Sequence, residues 1–424
     1  GKTKNPETMY KSFLLATFFL LISCSGNKTV ITLQVPGHDR YCEINQDGES
    51  IIPSGRIIKP YGDFIRIKPD PFGLALSPDG TIALAVHNNL LTVIRTRDNS
   101  IEEFASPFQG KGSYMGAAIK SDNRTAFLSG GDSGDIMTVD LTAPDKVSRF
   151  SINGISSGKN YDDSFVGDIK LSDDETHLFI LDQFNFRLAI MDLNLMKVTR
   201  SIPVGRFPLG IDVSPDGRYA YVANTGIFDY PLAPGLNEKN IEEKGLDFPP
   251  YGLPSKEAEN GVTIDERFIP GLGSPGVPEA VSVWTIDLDS SKVINQEKTG
   301  FRMGEMVEGL EIVGGSSPNS IAAGKDEVFV SNATNDNISV LDPGTGKTVS
   351  TIKLKIHPGI DNLRGMIPFG LALSHDQSRL YVALSGLNSV AVIDTKSRSV
   401  LGYIPTGWFP TKIEISPDDQ TLYL

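Results

Sequence analysis

Cysteine is nearly absent from this sequence: its 424 residues include only two, Cys24 and Cys42. Two thiols cannot build a disulfide-rich scaffold or a zinc cluster made of thiolates. Histidine is also scarce, with five residues, and no two of them have ligand spacing on one element. The sequence therefore predicts no metal site and no cofactor.

Positive charge is in deficit as well. Lysine and arginine number 39 against 52 aspartates and glutamates, which gives a formal net charge of -13. A field of this sign repels phosphate backbones, and no dense basic cluster reverses it locally. Nucleic acid is therefore excluded as an expected partner.

Long apolar runs are missing, apart from the stretch between Phe13 and Ile22, which includes Thr17. Its ten positions are too few for a membrane-spanning helix, which needs about 20 residues. They suit the core of a signal peptide that follows the basic Lys11. We therefore expect residues 1–23 to be a signal peptide, with extra residues before Met9.

The segment Leu21-Ile22-Ser23-Cys24, at the end of this core, resembles the lipobox of bacterial lipoproteins. The resemblance implies that Cys24 is lipidated and that residues 24–48 link the lipid anchor to the folded part. It also implies a membrane-anchored lipoprotein of the bacterial cell envelope, either periplasmic or on the cell surface. An ordinary secretory signal with a chance cysteine is the alternative.

Repetition is what the sequence has in abundance. The phrase "RFPLGIDVSPDGRYAYVANTG" at 206–226 recurs as "IPFGLALSHDQSRLYVALSG" at 367–386. A polar turn of this kind begins at Ser77, Ser121, Ser172, Ser214, Gly324, Ser374 and Ser416. The successive intervals are 44, 51, 42, 110, 50 and 42 residues, and all but one are typical of a four-stranded propeller blade.

Each repeat also has the pattern of strands in a radial sheet. An alternating strand precedes the turn, a more continuous apolar strand follows it, and the fourth strand is more polar. Inner strands covered on both faces and outer strands meeting water would produce this gradient. We predict an all-β fold, a seven-bladed β-propeller over residues 49–424. Strands from 49–67 would complete a last blade whose inner pair lies in 408–424.

The segment "YVAN" at 221–224, with "FPLGIDVSPDG" before it and "VWTIDL" after it, resembles the YVTN-repeat β-propeller proteins of bacterial envelopes. The copies "FVSN" at 329–332 and "YVAL" at 381–384 are looser. The resemblance runs from about residue 63 to residue 424. It implies the propeller fold and leaves the function open.

A wider resemblance rests on the lipobox, the long insertion and the phrase "TGWFPT" at 406–411. Together they are similar to the front half of bifunctional proteins whose back half is an alkaline-phosphatase-like phosphoesterase. The resemblance implies that this chain is a fragment and that it is the non-catalytic part of a larger protein.

The insertion itself spans about residues 227–279, between the second and third strands of the fourth repeat. Its composition is rich in proline, glycine and glutamate, which predicts a long loop without packed secondary structure. Loops of this length in compact folds are usually functional or disordered. We favour a lid or a partner-contact loop.

Three short motifs match catalytic patterns only formally. "GLGSPG" at 271–276 leads into a strand and not into the helix that a dinucleotide site requires. "PGTGKT" at 343–348 lacks the first glycine of a phosphate loop and reads as a hairpin turn. "GISSG" at 154–158 is not followed by the helix of a nucleophile elbow. No catalytic residue is predicted.

A small-molecule site is expected where the blades converge on the central funnel. The candidates precede first strands or follow second strands: His87, Arg206, Phe207, Asn224, Asn332, Arg364 and Trp408. Two arginines and several asparagines in one mouth would suit a small anion. The alternative is that the aromatic residues pack between blades and the arginines are rim charges.

Two classes of function remain open. The first is a lipid-anchored binding or scaffolding module, with an unknown protein or a small anionic ligand as its partner. The second is a propeller enzyme of the lactonase or quinoprotein dehydrogenase-subunit type. The enzyme class needs a cluster of catalytic or cofactor-binding residues at the funnel, and we favour the binding module.

Overall fold

The computed structural model describes residues 34–45, 48–88, 90–105, 115–143, 146–231, 235–236, 240, 255–357, 359 and 363–424. The chain divides into two compact units, residues 1–58 and 59–424. In the first unit, β1 (Ser50–Ile51) pairs antiparallel with β2 (Ile57–Ile58). The predicted signal peptide and Cys24 lie outside the described residues.

The second unit contains six four-stranded antiparallel sheets, which we call blades. Within each blade, neighbouring strands follow one another in chain order. Blade 1 comprises β3 (Pro71–Leu76), β4 (Ile82–His87), β5 (Leu90–Arg95) and β6 (Ser100–Ala105). Blade 2 comprises β7 (Ala117–Ile119), β8 (Thr125–Ser129), β9 (Asp135–Asp140) and β10 (Val147–Ser151). Blade 3, after a hairpin of β11 (Gly154–Ser156) and β12 (Lys159–Tyr161), comprises β13 (Val166–Leu171), β14 (His177–Asp182), β15 (Arg187–Asp192) and β16 (Lys197–Pro203).

The remaining blades follow the same order. Blade 4 comprises β17 (Pro208–Val213), β18 (Tyr219–Asn224), β21 (Ser282–Asp287) and β22 (Lys292–Lys298). After the hairpin of β23 (Met306–Val307) and β24 (Leu310–Glu311), blade 5 comprises β25 (Pro318–Ala323), β26 (Val328–Asn332), a 3-10 turn (Ala333–Asn335), β27 (Asn337–Leu341) and β28 (Thr348–Lys353). Blade 6 comprises β29 (Pro368–Leu373), β30 (Arg379–Leu384), β31 (Ser389–Asp394) and β32 (Ser399–Pro405), and a C-terminal hairpin comprises β33 (Glu414–Ile415) and β34 (Leu422–Tyr423).

The innermost strands of the blades contact one another in sequence order, from β3 to β29. The strand β33 then contacts both β29 and β3, so seven innermost strands form a closed ring. The prediction of an all-β propeller is confirmed, with six complete blades among the described residues rather than seven. At the seventh position stands only the C-terminal hairpin, because β33 and β34 pair with each other and with no further described strand.

The core is a series of apolar layers between neighbouring blades. Successive side chains of a strand point to opposite faces of its sheet, so both faces of an inner strand can be apolar. In β14, Leu178 and Ile180 pack with blade 2 residues, while Phe179 and Leu181 pack with blade 4 residues. The last layer joins blade 6 to the C-terminal hairpin through Ile413 and Leu422.

The repeated phrase forms the turn between the first and second strands of each blade. In five of these turns the first serine donates to the aspartate two residues later, at 2.5–2.7 Å: Ser77, Ser172, Ser214, Ser374 and Ser416. The same serine hydroxyl accepts the amide five residues later, at or just before the start of the second strand, at 2.9–3.0 Å. We call these the Ser-x-Asp turns.

The long insertion lies in blade 4, between β18 and β21. Contrary to the expectation of a loop without packed structure, it contains α1 (Lys256–Asn260) and a hairpin of β19 (Val262–Ile264) and β20 (Arg267–Ile269). The side chain of Ser255 caps α1 by accepting the amide of Ala258, which is fully buried. A good N-cap and one buried apolar residue therefore order this part despite its composition.

Candidate ligand-binding site

A cavity of about 640 Å³ lies at the centre of the ring and opens at the face that carries the Ser-x-Asp turns. All seven innermost strands line it, together with turn residues such as Ser172 and Ser374. Its volume falls within the 300–1,000 Å³ that is usual for small-molecule sites.

One position of the sequence repeat lines the cavity in every repeat. This position is two residues before the turn, and its occupants are Ala75, Ile119, Lys170, Asp212, Ala322, Ala372 and Glu414. Two further charged residues, Asp168 and Lys412, line the cavity two positions earlier in the sequence. Blades 3 and 4 and the C-terminal hairpin thus contribute five charges, and we call them the channel cluster: Asp168, Lys170, Asp212, Lys412 and Glu414.

The pair between Lys170 and Asp212 joins blade 3 to blade 4. The Lys170 Nζ lies 2.7 Å from the Asp212 Oδ1, which also accepts the amide of Val213 at 2.9 Å. The other oxygen of Asp212 accepts the amide of Ala323 in blade 5 at 2.9 Å. The carboxylate raises the pKa of Lys170, so this lysine stays charged.

A looser pair crosses from blade 3 to the C-terminal hairpin. The Lys412 Nζ lies 3.8 Å from the Asp168 Oδ1, and this oxygen also accepts the amide of Ile169 at 3.0 Å. The pKa of Lys412 is raised, chiefly by the charge of Asp168. Both lysines keep access to water, since 42% of the Lys170 side chain and 32% of the Lys412 side chain are exposed.

Glu414 is the fifth member, and no ion partner lies within 4.0 Å of its carboxylate among the described residues. Burial raises the pKa of Glu414, and the positive charges of Lys412 and Lys170 only partly oppose this effect. The channel cluster therefore contains two matched pairs and one unmatched carboxyl group.

The rim of the cavity is fastened by bonds between neighbouring turns. Glu175 accepts the amide of Ser121 at 2.5 Å and lies 3.5 Å from the Nζ of Lys120. On the other side of the ring, His375 Nδ1 lies 2.7 Å from Asp419. These contacts hold blade 2 to blade 3 and blade 6 to the C-terminal hairpin.

A second charged cluster lies between blade 3 and the segment that precedes it, which contains the β11–β12 hairpin, and this cluster is closed to water. Arg187 and Asp182 form an ion pair of 2.8 Å, with side chains 1% and 0% exposed. The remaining guanidinium donors bind Ser156, Ser164, Ser201 and the carbonyl of Ile152, and the ring of Tyr161 lies 3.7 Å below. Ser156 of the "GISSG" motif is therefore bound into a structural network.

The seven residues predicted to line the funnel lie at the opposite face. Antiparallel pairing puts the start of an innermost strand beside the end of the second strand, away from the Ser-x-Asp turns. Arg206, Phe207, Arg364 and Trp408 precede innermost strands, while His87, Asn224 and Asn332 end second strands. None of the seven lines the cavity. That they bind a ligand stays a prediction.

Arg206 holds the two ends of the insertion. Its guanidinium donates to the carbonyls of Ile227 and Ser274, at 2.8 and 3.0 Å, and lies 3.4 Å from Asp229. Lys298 donates to the carbonyls of Val277 and Ala280 at the insertion's far end. Burial, with Arg302 and Arg206 nearby, lowers the pKa of Lys298 to about 8.

Three of the predicted residues are buried and already bonded. Asn224 donates to the carbonyls of Val222 and Ser282, and Asn332 accepts from Thr299 and donates to two side chains of β27. The ring nitrogens of His87 lie 2.9 Å from the Pro69 carbonyl and 3.1 Å from the Thr92 hydroxyl.

The other three predicted residues are more accessible. Trp408 is 63% exposed, and Phe207 packs edge-on against Phe186 with ring centres 5.1 Å apart. Arg364 lies over Phe301 and 3.4 Å from Glu308. The two arginines, Arg206 and Arg364, are thus each paired with a carboxylate.

Sequence reasoning missed the channel cluster although a signal was present. Aligning the segments "GDIKLS", "GIDVS" and "KIEIS" on their turn serine shows charge at inward positions where other repeats have alanine or isoleucine. Among the described residues, no group of three or more His, Cys, Asp or Glu side chains is arranged to hold a metal ion. Within this part of the chain no helix is long and apolar enough to cross a membrane.

Comparison with known proteins identifies the fold and nothing finer. No family model matches the chain, and no curated protein matches it. Among solved structures it is similar to hydrazine synthase of Kuenenia stuttgartiensis, with 16% identity and a TM-score of 0.57 over 86% of this chain and 95% of that one. At this identity the likeness shows a shared propeller fold.

Proposed function

We propose that the propeller is a ligand-binding module and that the cavity with the channel cluster is its binding site. The observation that carries the proposal is the convergence of five charged side chains from three parts of the ring. Charged groups are rarely enclosed unless they are paired or used. Four other repeats show that alanine or isoleucine suffices at the same inward position.

The described lining favours binding over catalysis. It contains one imidazole, that of His375, which is bonded to Asp419 at the rim. An enzyme of the lactonase or quinoprotein dehydrogenase-subunit type would need a nucleophile, base or cofactor set at the same cavity. We therefore place this enzyme class second.

The wider setting is proposed from sequence resemblance. The repeats support membership of the YVTN-repeat family, and the lipobox around Cys24 supports a lipid-anchored envelope protein, periplasmic or surface-exposed. The phrase at 406–411 supports a role as the non-catalytic half of a phosphoesterase-containing protein. The β-strand character of 49–67 supports a seventh blade completed by strands from the N-terminal part of the chain.

A blocked cavity tests the proposal. Ala372→Trp fills the cavity, and Val349→Trp places the same side chain on an exposed position of β28. We expect some polar metabolites to raise the Tm of the wild-type chain and of Val349→Trp but not that of Ala372→Trp. If every stabilising compound acts equally on both variants, or none stabilises the wild type, the proposal is wrong.

The double variant Lys170→Met and Lys412→Met provides a second measurement should Ala372→Trp fail to fold. It keeps the volume of the lining and removes two of the five charges. A changed affinity for the same stabilising compounds is expected, weaker for anions and stronger for cations, and unchanged binding contradicts the proposed site.

A further inference from the structure

The inference that follows rests on the proposed binding function and names the ligand's chemistry. We propose that the cavity takes a small organic molecule that carries a positively charged nitrogen, and that this nitrogen binds the carboxylate of Glu414.

Charge comes first. The channel cluster has three carboxylates and two ammonium groups, and each lysine already has its own aspartate. Glu414 is left as the excess negative charge, half-buried at the start of β33. An enclosed charge without a counter-ion is unfavourable, and one ligand cation would neutralise the cluster.

Hydrogen-bonding capacity points to the same group. Asp212 accepts two backbone amides and Lys170, and Asp168 accepts one amide besides lying near Lys412. The carboxylate of Glu414 accepts no hydrogen bond from the described residues. An ionised carboxylate forms its strongest hydrogen bonds with charged N–H donors. Within the channel cluster, the carboxylate that can still accept hydrogen bonds is therefore that of Glu414.

The space around Glu414 favours an organic cation over a bare metal ion. A single carboxylate beside two lysines is a poor metal site, because a metal ion needs several oxygen or nitrogen ligands. The cavity of about 640 Å³ also has alanines at Ala75, Ala322 and Ala372, which leave room for the carbon body of a ligand. A molecule of this kind fits both the charge and the volume.

Binding should be coupled to a proton. Burial raises the pKa of Glu414, while the groups that face it are Lys412, Lys170, Asp168 and Asp212. A bound cation favours the ionised carboxylate and so lowers this pKa. At a pH where the free carboxyl group is partly protonated, cation binding therefore releases protons.

The test uses 2-phenylethylamine and its size-matched anion, 3-phenylpropanoate. Calorimetric titration of the full chain should show saturable binding of the amine and at least tenfold weaker binding of the acid. Glu414→Gln should weaken amine binding at least tenfold. Glu311→Gln, on the exposed β24, is the matched control and should bind as the wild type does.

The same titration in two buffers of different ionisation enthalpy measures how many protons are released when the amine binds. Near pH 5 we expect proton release for the wild type and none for Glu414→Gln. Because a structural role of Glu414 would not release protons on amine binding, this readout separates binding from folding.

Three outcomes overturn the inference. The amine does not bind, or it binds Glu414→Gln as tightly as the wild type, or the acid binds better and loses affinity in Lys412→Met. The last outcome would leave the proposed binding function standing, whereas failure of the blocked-cavity experiment would remove both.

Discussion

The two charged clusters of this propeller are built from the same kinds of groups and differ in how fully they are bonded. The pair of Arg187 and Asp182 is sealed, and its remaining donors reach three serine hydroxyls and a carbonyl. In the channel cluster, each lysine has one carboxylate partner and remains open to water, whereas Glu414 has no ion partner among the described residues.

This difference separates a structural use of charge from a binding use. A saturated cluster gains nothing from an incoming molecule, because all its donors and acceptors are occupied. A cluster in a cavity whose hydrogen-bonding groups are not all occupied can still bind a ligand. Four variants sharpen or break the comparison, in order of decreasing expected effect on stability.

Arg187→Leu should have the largest effect. It leaves the carboxylate of Asp182 buried without its counter-ion, which costs about 3–5 kcal/mol in the free energy of unfolding. Urea denaturation measures the loss. The double variant with Asp182→Leu should recover part of the stability, and a single variant that unfolds like the wild type would show that the cluster is not structural.

Asp212→Ala should have an intermediate effect. The amide of Ala323 and the ammonium of Lys170 both lose their acceptor, at a cost of about 1–3 kcal/mol. The exposed neighbour Asp173→Ala is the control, with an expected change within about 0.5 kcal/mol. Equal denaturation midpoints for the two variants would contradict the role of Asp212 as a tie between blades.

Ser172→Ala should have a smaller effect, and it tests the turn that four blades and the C-terminal hairpin share. It removes the hydrogen bonds to Asp174 and from the amide of His177, which should cost about 1 kcal/mol. The bond from Ser172 is the largest cause that lowers the pKa of Asp174 to about 2.

The pH dependence of this variant has a defined sign. In the wild type the contribution of Asp174 is complete above its ordinary pKa of 3.8 and is lost as the pH falls toward about 2. Ser172→Ala should therefore lose less stability than the wild type between pH 7 and pH 3. Parallel urea curves at both pH values would contradict this.

Glu414→Gln should have the smallest effect on stability, within about 0.5 kcal/mol at pH 7. Because the pKa of Glu414 is raised in the folded chain, the ionised form is disfavoured there. The wild type should lose stability relative to the variant as the pH rises from 4.5 through the raised pKa. A variant that is strongly destabilised at pH 7 would place Glu414 with Arg187 among the structural charges.

The sequence predicts the blades well because their signal is local. A turn such as Ser214-Pro215-Asp216-Gly217 forms its hydrogen bonds within six residues. The alternation of residue types along a strand also indicates which sheet face each side chain occupies. The long-range bonds are harder to foresee. Arg187 meets Ser156 only because the β11–β12 hairpin packs against β16 of blade 3, and no local pattern links these two residues.

The site was harder to predict than the fold for a geometric reason. The predicted funnel residues, such as Arg206 and Asn332, lie at those ends of the strands that are opposite the Ser-x-Asp turns. The cavity opens at the other face, and its charged residues alternate along the chain with the buried Ile169 and Ile413, which also line it. The usable signal was a charged residue at a repeat position that alanine or isoleucine occupies in the other four repeats.

The contacts of Arg206 and Lys298 with the insertion affect how much the insertion can vary in sequence and length. Both ends of the insertion are fastened to blade 4 by main-chain carbonyls, so the fastening does not depend on which side chains occur between them. Doubling the length of a flexible loop costs only about 0.6 kcal/mol once its ends are fixed. We therefore expect blade 4 to accept insertions of other lengths and sequences without a change in the packing of the propeller.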